Sequence, residues 1–392
     1  MKLRSHEQIL LDALKARLTG GYVPLESAED EQIRDLFALA QNHKLLPMVY
    51  EAVAGQSSLH DPRLLPYKRQ AVLQVMRQTQ LSQAALSVYE HLHSCGLHPL
   101  ILKGAVCRRL YPSGDHRISG DEDLYIPKEE LEQCCSILSQ IGLKPDNPGL
   151  EGWTDPTRSV HIELHRELFP SGQIDGSKLE RFFRNGFAQP YAYEVEPGRW
   201  VESFDPHLHF LYLILHAYKH FLFSGFGIRQ VCDIGLWAKV YENEIQWEWL
   251  RSQLVEVKAL NFAGAILRIA RDTLGIDLTI PEDWDAKRFD PQYLLRDILD
   301  AGIYGSATSS RSHSAIALGD RKGRSIHTLF PDSQYMMRKY PQWNGKGYML
   351  PVMWARRLGE YGVGVLKRKE DPLEAISIAK ERQKLLKYYK IL

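Results

Sequence analysis

The sequence predicts an α+β protein: a small mixed sheet with helices, set between an N-terminal and a C-terminal helical region. Three observations carry this. Helical apolar spacing fills residues 5 to 90, short strand-like runs alternate with helices from about Gly96 to Ser203, and helical spacing resumes from Asp205. The expected division is residues 1–85, 86–203 and 204–392.

In the first region Ser5-x-x-Gln8 reads as a capping box ahead of Ile9, Leu10, Ala13, Leu14 and Leu18. Further helices are expected from Glu29 to Asn42 and from Tyr67 to His93. In the middle region "LHPLILK" reads as a strand, "AVCRRLY" as a short helix and "DLYIP" as a second strand. "KEELEQCCSILSQIG" is a helix stopped by Gly142, "VHIELHREL" a strand, and "YAYEVEPGRWVES" a hairpin turned at Pro197-Gly198. The third region holds "HLHFLYLILHAYKHFLF", "IRQVCDIGLWAKVYE" and "WEWLRSQLVEVKALNFAGAILRIARDTLG" as helices. A Gly/Ser-rich basic loop at 304–325, including "RKGR" at 321–324, comes before a last helix opened by Asp371-Pro372 and Glu374.

Composition narrows the function. In a chain of 392 residues, 49 Lys and Arg nearly balance 48 Asp and Glu, which gives no bulk electrostatic case for long nucleic acid or an anionic membrane. Five cysteines without C-x-x-C spacing read as small buried hydrophobes in a reducing compartment. No signal peptide or membrane span is evident, so the expected location is cytoplasmic.

Chemistry concentrates in "LILKGAVCRRLYPSGDHRISGDEDLYIP", residues 100–127. Asp121 and Asp123 lie two apart at a strand mouth and so share a face, where like charges repel unless a cation sits between them. A hard divalent ion such as Mg²⁺ takes oxygen ligands, and a third carboxylate from a neighbouring strand, best supplied by Glu163, completes such a set. Spacing alone is weak, since chance gives about six acid-x-acid pairs at this acid content. The added context is a strand ending in Lys103-Gly104, the Arg-x-Ser-Gly lead-in, and the acid of "HIELH".

"LKGA…LYP…R-x-SGD-x-DLYI" followed by "IELH" resembles a large family of bacterial nucleotidyltransferase-like proteins in the DNA polymerase β-like superfamily. "AQNHKLLPMVYEAV", "LILHAYKH…GIRQVCDIGLW" and "LFPDSQYMMRKYPQW" resemble it as well, so the likeness extends over most of the chain. The resemblance implies a polymerase β-like core that moves an NMP from an NTP (ATP among them) to an acceptor hydroxyl, with pyrophosphate leaving. Asp121, Asp123 and Glu163 would hold a two-metal Mg²⁺ site, with Mn²⁺ as a substitute, and Glu163 would help deprotonate the acceptor. Gly104 would admit backbone N–H groups to the triphosphate and Lys103 would neutralise it. Arg117, Ser119 and Gly120 would meet phosphate oxygens, while His165, Lys219, His220 and Arg229 are secondary contacts. The acceptor expected is a small molecule, sugar, peptide or protein.

Two positions depart from the superfamily pattern. Lys103-Gly104 stands where Gly-Ser or Gly-Gly is usual, and Glu122 stands where an apolar residue packs beneath the aspartates. A Glu facing a core needs a cationic partner or a raised pKa. It supports a rival reading, a catalytically weak or inactive nucleotide-binding regulator. Two histidine patterns suggest other chemistry: His161, Glu163 and His165 alternate on one strand face, as in a zinc or iron site, and His216 and His220 lie four apart on a helix, as in a HEPN-like or HD-like metal hydrolase.

Overall fold

The computed structural model describes residues 3–301, apart from 26, 56–60, 147–150, 158–159, 170–175, 224 and 285–288, and beyond these 333, 336–337, 340, 347–357 and 381–391. The basic loop at 304–325 and the helix start at 371–374 lie outside the described residues.

Four helices come first: α1 (Ser5–Thr19), α2 (Asp30–Asn42), α3 (Leu46–Val53) and the long α4 (Leu65–Ser94). The start of α1 differs from the expected capping box. Its N-cap is Arg4, whose N–H donates to Glu7 Oε2 at 2.7 Å, because the buried Glu7 carboxylate also binds Arg296 Nη1 at 2.6 Å. Helix α3, missed in the sequence, is short and almost wholly apolar, so it shows no helical alternation. Helix α4 runs through the 85/86 boundary, and one apolar cluster extends from Leu10 to Ile391.

The chain then builds β1 (Leu100–Leu102), α5 (Gly104–Arg108), β2 (Glu122–Tyr125), α6 (Leu131–Gln140), β3 (Lys144–Pro145), β4 (Gly152–Thr154) and β5 (His161–His165). The strands form one mixed sheet in the order β1-β2-β5-β4-β3, in which β2 and β5 run parallel and the other pairs antiparallel. Strands β3 and β4 are two and three residues long, too short to register as alternating patterns. In the β2–β5 register Asp123 pairs with Glu163 and Leu124 with Leu164. Alternation therefore puts Glu122, Leu124, Ile162 and Leu164, all buried, on one sheet face and Asp123, Glu163 and His165 on the other. Helix α7 (Gly176–Glu180) leads to the expected hairpin, β6 (Tyr191–Glu196) and β7 (Arg199–Ser203), with Gly198 at φ 76°.

Beyond the hairpin, α8 (Pro206–Phe223) and α9 (Ile228–Val240) match the expected helices. The next expected helix is instead two, α10 (Trp247–Glu256) and α11 (Leu260–Arg268), separated at Lys258, whose φ is 58°. Helix α12 (Gln292–Ala301) follows.

What ties the sheet to the C-terminal helices is a buried ion pair. Arg117 Nε and Nη2 donate to Asp233 Oδ1 and Oδ2 at 2.7 and 2.8 Å, Tyr111 donates its hydroxyl proton to Oδ1 at 2.7 Å, and each charged residue is 2% exposed. This clamp fixes the segment leading into Asp121 against α9. Replacing one partner strands a buried charge, so Asp233→Asn is expected to cost about 3–5 kcal/mol, read as a lowered urea midpoint.

Candidate active site

The site lies on the sheet face that carries Asp123 and Glu163. Asp123 is nearly buried and held on both oxygens, with His165 Nε2 2.7 Å from Oδ1 and Lys103 Nζ 2.9 Å from Oδ2. Burial would raise the Asp123 carboxyl, but the Lys103 and His165 contacts outweigh it and hold it well below the usual range. Burial would likewise lower the Lys103 ammonium, and Asp123 and Tyr212 outweigh that and raise it. Glu163 shifts the other way: burial and the neighbouring Asp121 and Asp123 charges push its carboxyl up.

Two groups of possible ligand atoms meet here. Asp121, His161 and Glu163 form one and Asp123, Glu163 and His165 the other, with all ligand atoms within 4.8 Å of one another in each group. Glu163 belongs to both. Three carboxylates crowded on one face, one of them with its proton affinity raised by the others, suit a hard divalent cation. The oxygens of Asp123 each keep a second lone pair for such an ion beside Lys103 or His165. His161 also lies 2.9 Å from Asp146 Oδ2, outside the carboxylate trio. The two histidines of "HIELH" thus belong to different groups, not to one cluster.

Helix α8 brings a second layer of cations and imidazoles over this face. His216 Nε2 is 3.2 Å from Lys103 Nζ and 3.3 Å from His220 Nε2. Burial lowers His220 to about 3, and burial with the Lys103 charge pushes His216 well below its ordinary value, so both rings are neutral. An ammonium beside His216 disfavours a metal there, and among the described residues no group of three metal-competent side chains includes either ring. Lys219 lies 5.6 Å from the centre of the Phe169 ring; burial and Lys103 lower its ammonium to about 8.

Residues of the expected phosphate loop divide. Gly104 opens α5, but a Cβ there would fall 1.6 Å from Glu122 Oε2, and that same oxygen accepts the Ala105 N–H at 3.0 Å. Glu122 therefore faces away from Asp123, where it pairs with the buried Arg108. Here is the cationic partner the sequence required. Arg108 Nη2 also donates to Ser119 Oγ at 3.1 Å, and the Ser119 N–H donates to Gln78 Oε1 at 2.6 Å. Ser119 holds the loop in place here, and Arg117 forms the Asp233 clamp. Gly120 faces Lys44, a residue from the end of α2 that sequence reading passed over; a Cβ on Gly120 would lie 3.3 Å from Lys44 Nζ. Arg229 donates from Nη1 to Ile118 O just before Ser119.

Beside Gly120 and His161 opens a cleft of about 490 Å³, lined also by Leu81, Lys144, Asp146 and Thr154. Of its lining residues, Gly120 precedes Asp121 in the chain and His161 shares a group of possible ligand atoms with Asp121 and Glu163.

Residues 29–275 match the family described as "Uncharacterised nucleotidyltransferase". The chain belongs to this family. No curated protein and no solved structure matches it. The nucleotidyltransferase match takes in α2 through α11, so the family unit includes helices on both sides of the sheet and not the sheet alone. No helix among the described residues is long and apolar enough to cross a membrane.

Gly104→Ala would drive a methyl group into the Glu122 carboxylate. We expect it to destabilise by about 1–3 kcal/mol, and Gly104→Ala with Glu122→Ala to be clearly non-additive in a urea double-mutant cycle.

Proposed function

We propose that the chain transfers a nucleoside monophosphate from an NTP to an acceptor hydroxyl, with Mg²⁺ held by Asp121, Asp123 and Glu163. The observation that carries this is the convergence of three carboxylates from adjacent strands beside the half-buried ammonium groups of Lys103 and Lys219. Mn²⁺ has the same oxygen preference and would substitute. Bound at this site, the metal would neutralise charge on the reacting phosphate oxygens.

The protein's own part is positioning and proton movement. Lys103 and Lys219 lie at the Asp123 end of the site, where the charge of a triphosphate must be met. His165 and Lys103 fix the Asp123 carboxylate in one orientation. Glu163, whose carboxyl is held above the usual range, takes the proton of the acceptor hydroxyl as the new P–O bond forms and the bond to the leaving pyrophosphate breaks. The cleft beside Asp121 is sized for a small acceptor or for a side chain presented by a peptide or protein.

Thermal melting with each NTP should show stabilisation that requires Mg²⁺. Asp121→Asn with Asp123→Asn should abolish that shift along with pyrophosphate release; an unchanged shift in this variant would sink the metal-site reading. Nucleotide affinity should also depend on pH. Lys219 titrates near 8, so it is charged below that pH and must take up a proton to face phosphate above it. Affinity for ATP is expected to stay level below pH 8 and decline above it, and Lys219→Arg should flatten the decline in a calorimetric titration.

A further inference from the structure

We propose that His93, His98 and Glu202 form a second metal site, one that takes Zn²⁺ and pins the end of α4 to the β6–β7 hairpin. None of the three belongs to either carboxylate group of the active site, and their own possible ligand atoms all lie within 4.8 Å of one another. The stretch "EHLHSCGLH", residues 90–98, supplies the two imidazoles. His93 sits in the last turn of α4. Gly96, at φ 80°, then turns the chain back, so that the His98 ring meets the His93 ring edge-on with centroids 5.4 Å apart. The His98 N–H donates to Glu130 Oε2 at 2.9 Å, which fixes the backbone there. Glu202 arrives from β7, where its own N–H donates to the hydroxyl oxygen of Tyr89 at 2.8 Å, four residues before His93 on α4.

What calls for a cation is the Glu202 carboxylate. Its Oε2 is buried and has no hydrogen-bond partner among the described residues. A carboxylate oxygen taken out of water without a donor is costly, and a bound ion offsets that cost. Both imidazoles are exposed, so an ion can reach them and the rings can rotate. A tetrahedral zinc with bonds of about 2.0–2.2 Å draws neighbouring ligand atoms to about 3.4 Å, a closure of roughly 1 Å that such rotation supplies. Two ring nitrogens and one oxygen suit zinc over Mg²⁺, which takes oxygen ligands, whereas the three carboxylates of the active site suit the reverse. Water would take the fourth position. The ion would also brace β1 from both sides. His98 lies just before that strand, and Ser203, next to Glu202, donates its hydroxyl proton to Ile101 O at 2.6 Å within it. Lys103, the partner of Asp123, follows at the strand's end.

The test is titration of the full chain, free of any histidine tag, with Zn²⁺ against a chromophoric chelator. The wild type is expected to hold a zinc that His93→Ala and His98→Ala each weaken at least about tenfold. Asp121→Asn with Asp123→Asn should leave that zinc in place, which separates this site from the active site. Zinc at about a hundredfold above its dissociation constant should raise the wild-type melting temperature by about 3–5 °C. Glu202→Gln replaces an unpartnered carboxylate by a neutral amide, so without zinc it should melt no lower than the wild type, yet it should lose the rise. Zinc binding unchanged in both His93→Ala and His98→Ala, or a rise that survives in Glu202→Gln, would overturn the site. So would half-saturation only above about 100 µM, far weaker than a built zinc site.

Discussion

The parallel pairing of β2 with β5 is the constraint on which the site depends. Because Asp123 registers with Glu163, a slip of one residue would turn Glu163 to the apolar face and set Ile162 or Leu164 beside Asp123. The register is held from the other side, where Leu124 and Leu164 pair within the core. The same burial that fixes the sheet thus forces like charges together. The protein answers with cations from distant segments, Lys103 on Asp123 and Lys44 near Asp121, and with neutral imidazoles at His216 and His220 that add no further charge.

The carboxylates themselves were legible in the sequence, because an i, i+2 pair on a strand must share a face whatever surrounds it. So were the main helices, whose apolar spacing is long enough to stand out: α2 appears where its periodicity ended it, at Asn42. Other features depend on contacts across sequence distance. The resemblance implied a phosphate contact for Arg117, while the partner it has here, Asp233, is 116 positions away. Lys44 was invisible for the same reason, since nothing local to α2 says that its end meets Gly120. Strands β3 and β4 failed to register because two or three residues cannot show a period, whereas the equally short β1 stood out only as the unbroken apolar run Leu100–Leu102.

Glu122 is the clearest case of local information misleading. Between two aspartates expected to hold a metal an acid reads as a defect, and it would be one if it shared their face. Alternation sends it instead to the opposite side, where Arg108 supplies the charge and Ala105 a hydrogen-bond donor. Its partner was only 14 residues away, yet the pair forms only once α5 folds back along the sheet. A buried ion pair of this kind is weak evidence for stability, but severing it would be costly. Its service is geometric: through Arg108 and Ser119 it anchors the loop before Asp121 to Gln78 on α4.

Lys103-Gly104 is the place where the two faces of β2 are coupled. Gly104 must lack a Cβ because Glu122 packs against its Cα, and the preceding residue must turn the chain from β1 into α5. Lys103 makes that turn at φ 58° and ψ −97°, a costly conformation for any residue with a side chain. Glycine would relieve the strain, and a serine would bring a hydroxyl, but neither could reach Asp123 with a positive charge. The departure from Gly-Ser or Gly-Gly is therefore consistent with the rest of the site. With the α5 N–H of Ala105 already occupied by Glu122, an anion at this turn loses a backbone donor, and an ammonium from the same turn offsets that loss. Lysine at 103 and glutamate at 122 are two halves of one arrangement, and each makes the other's presence intelligible.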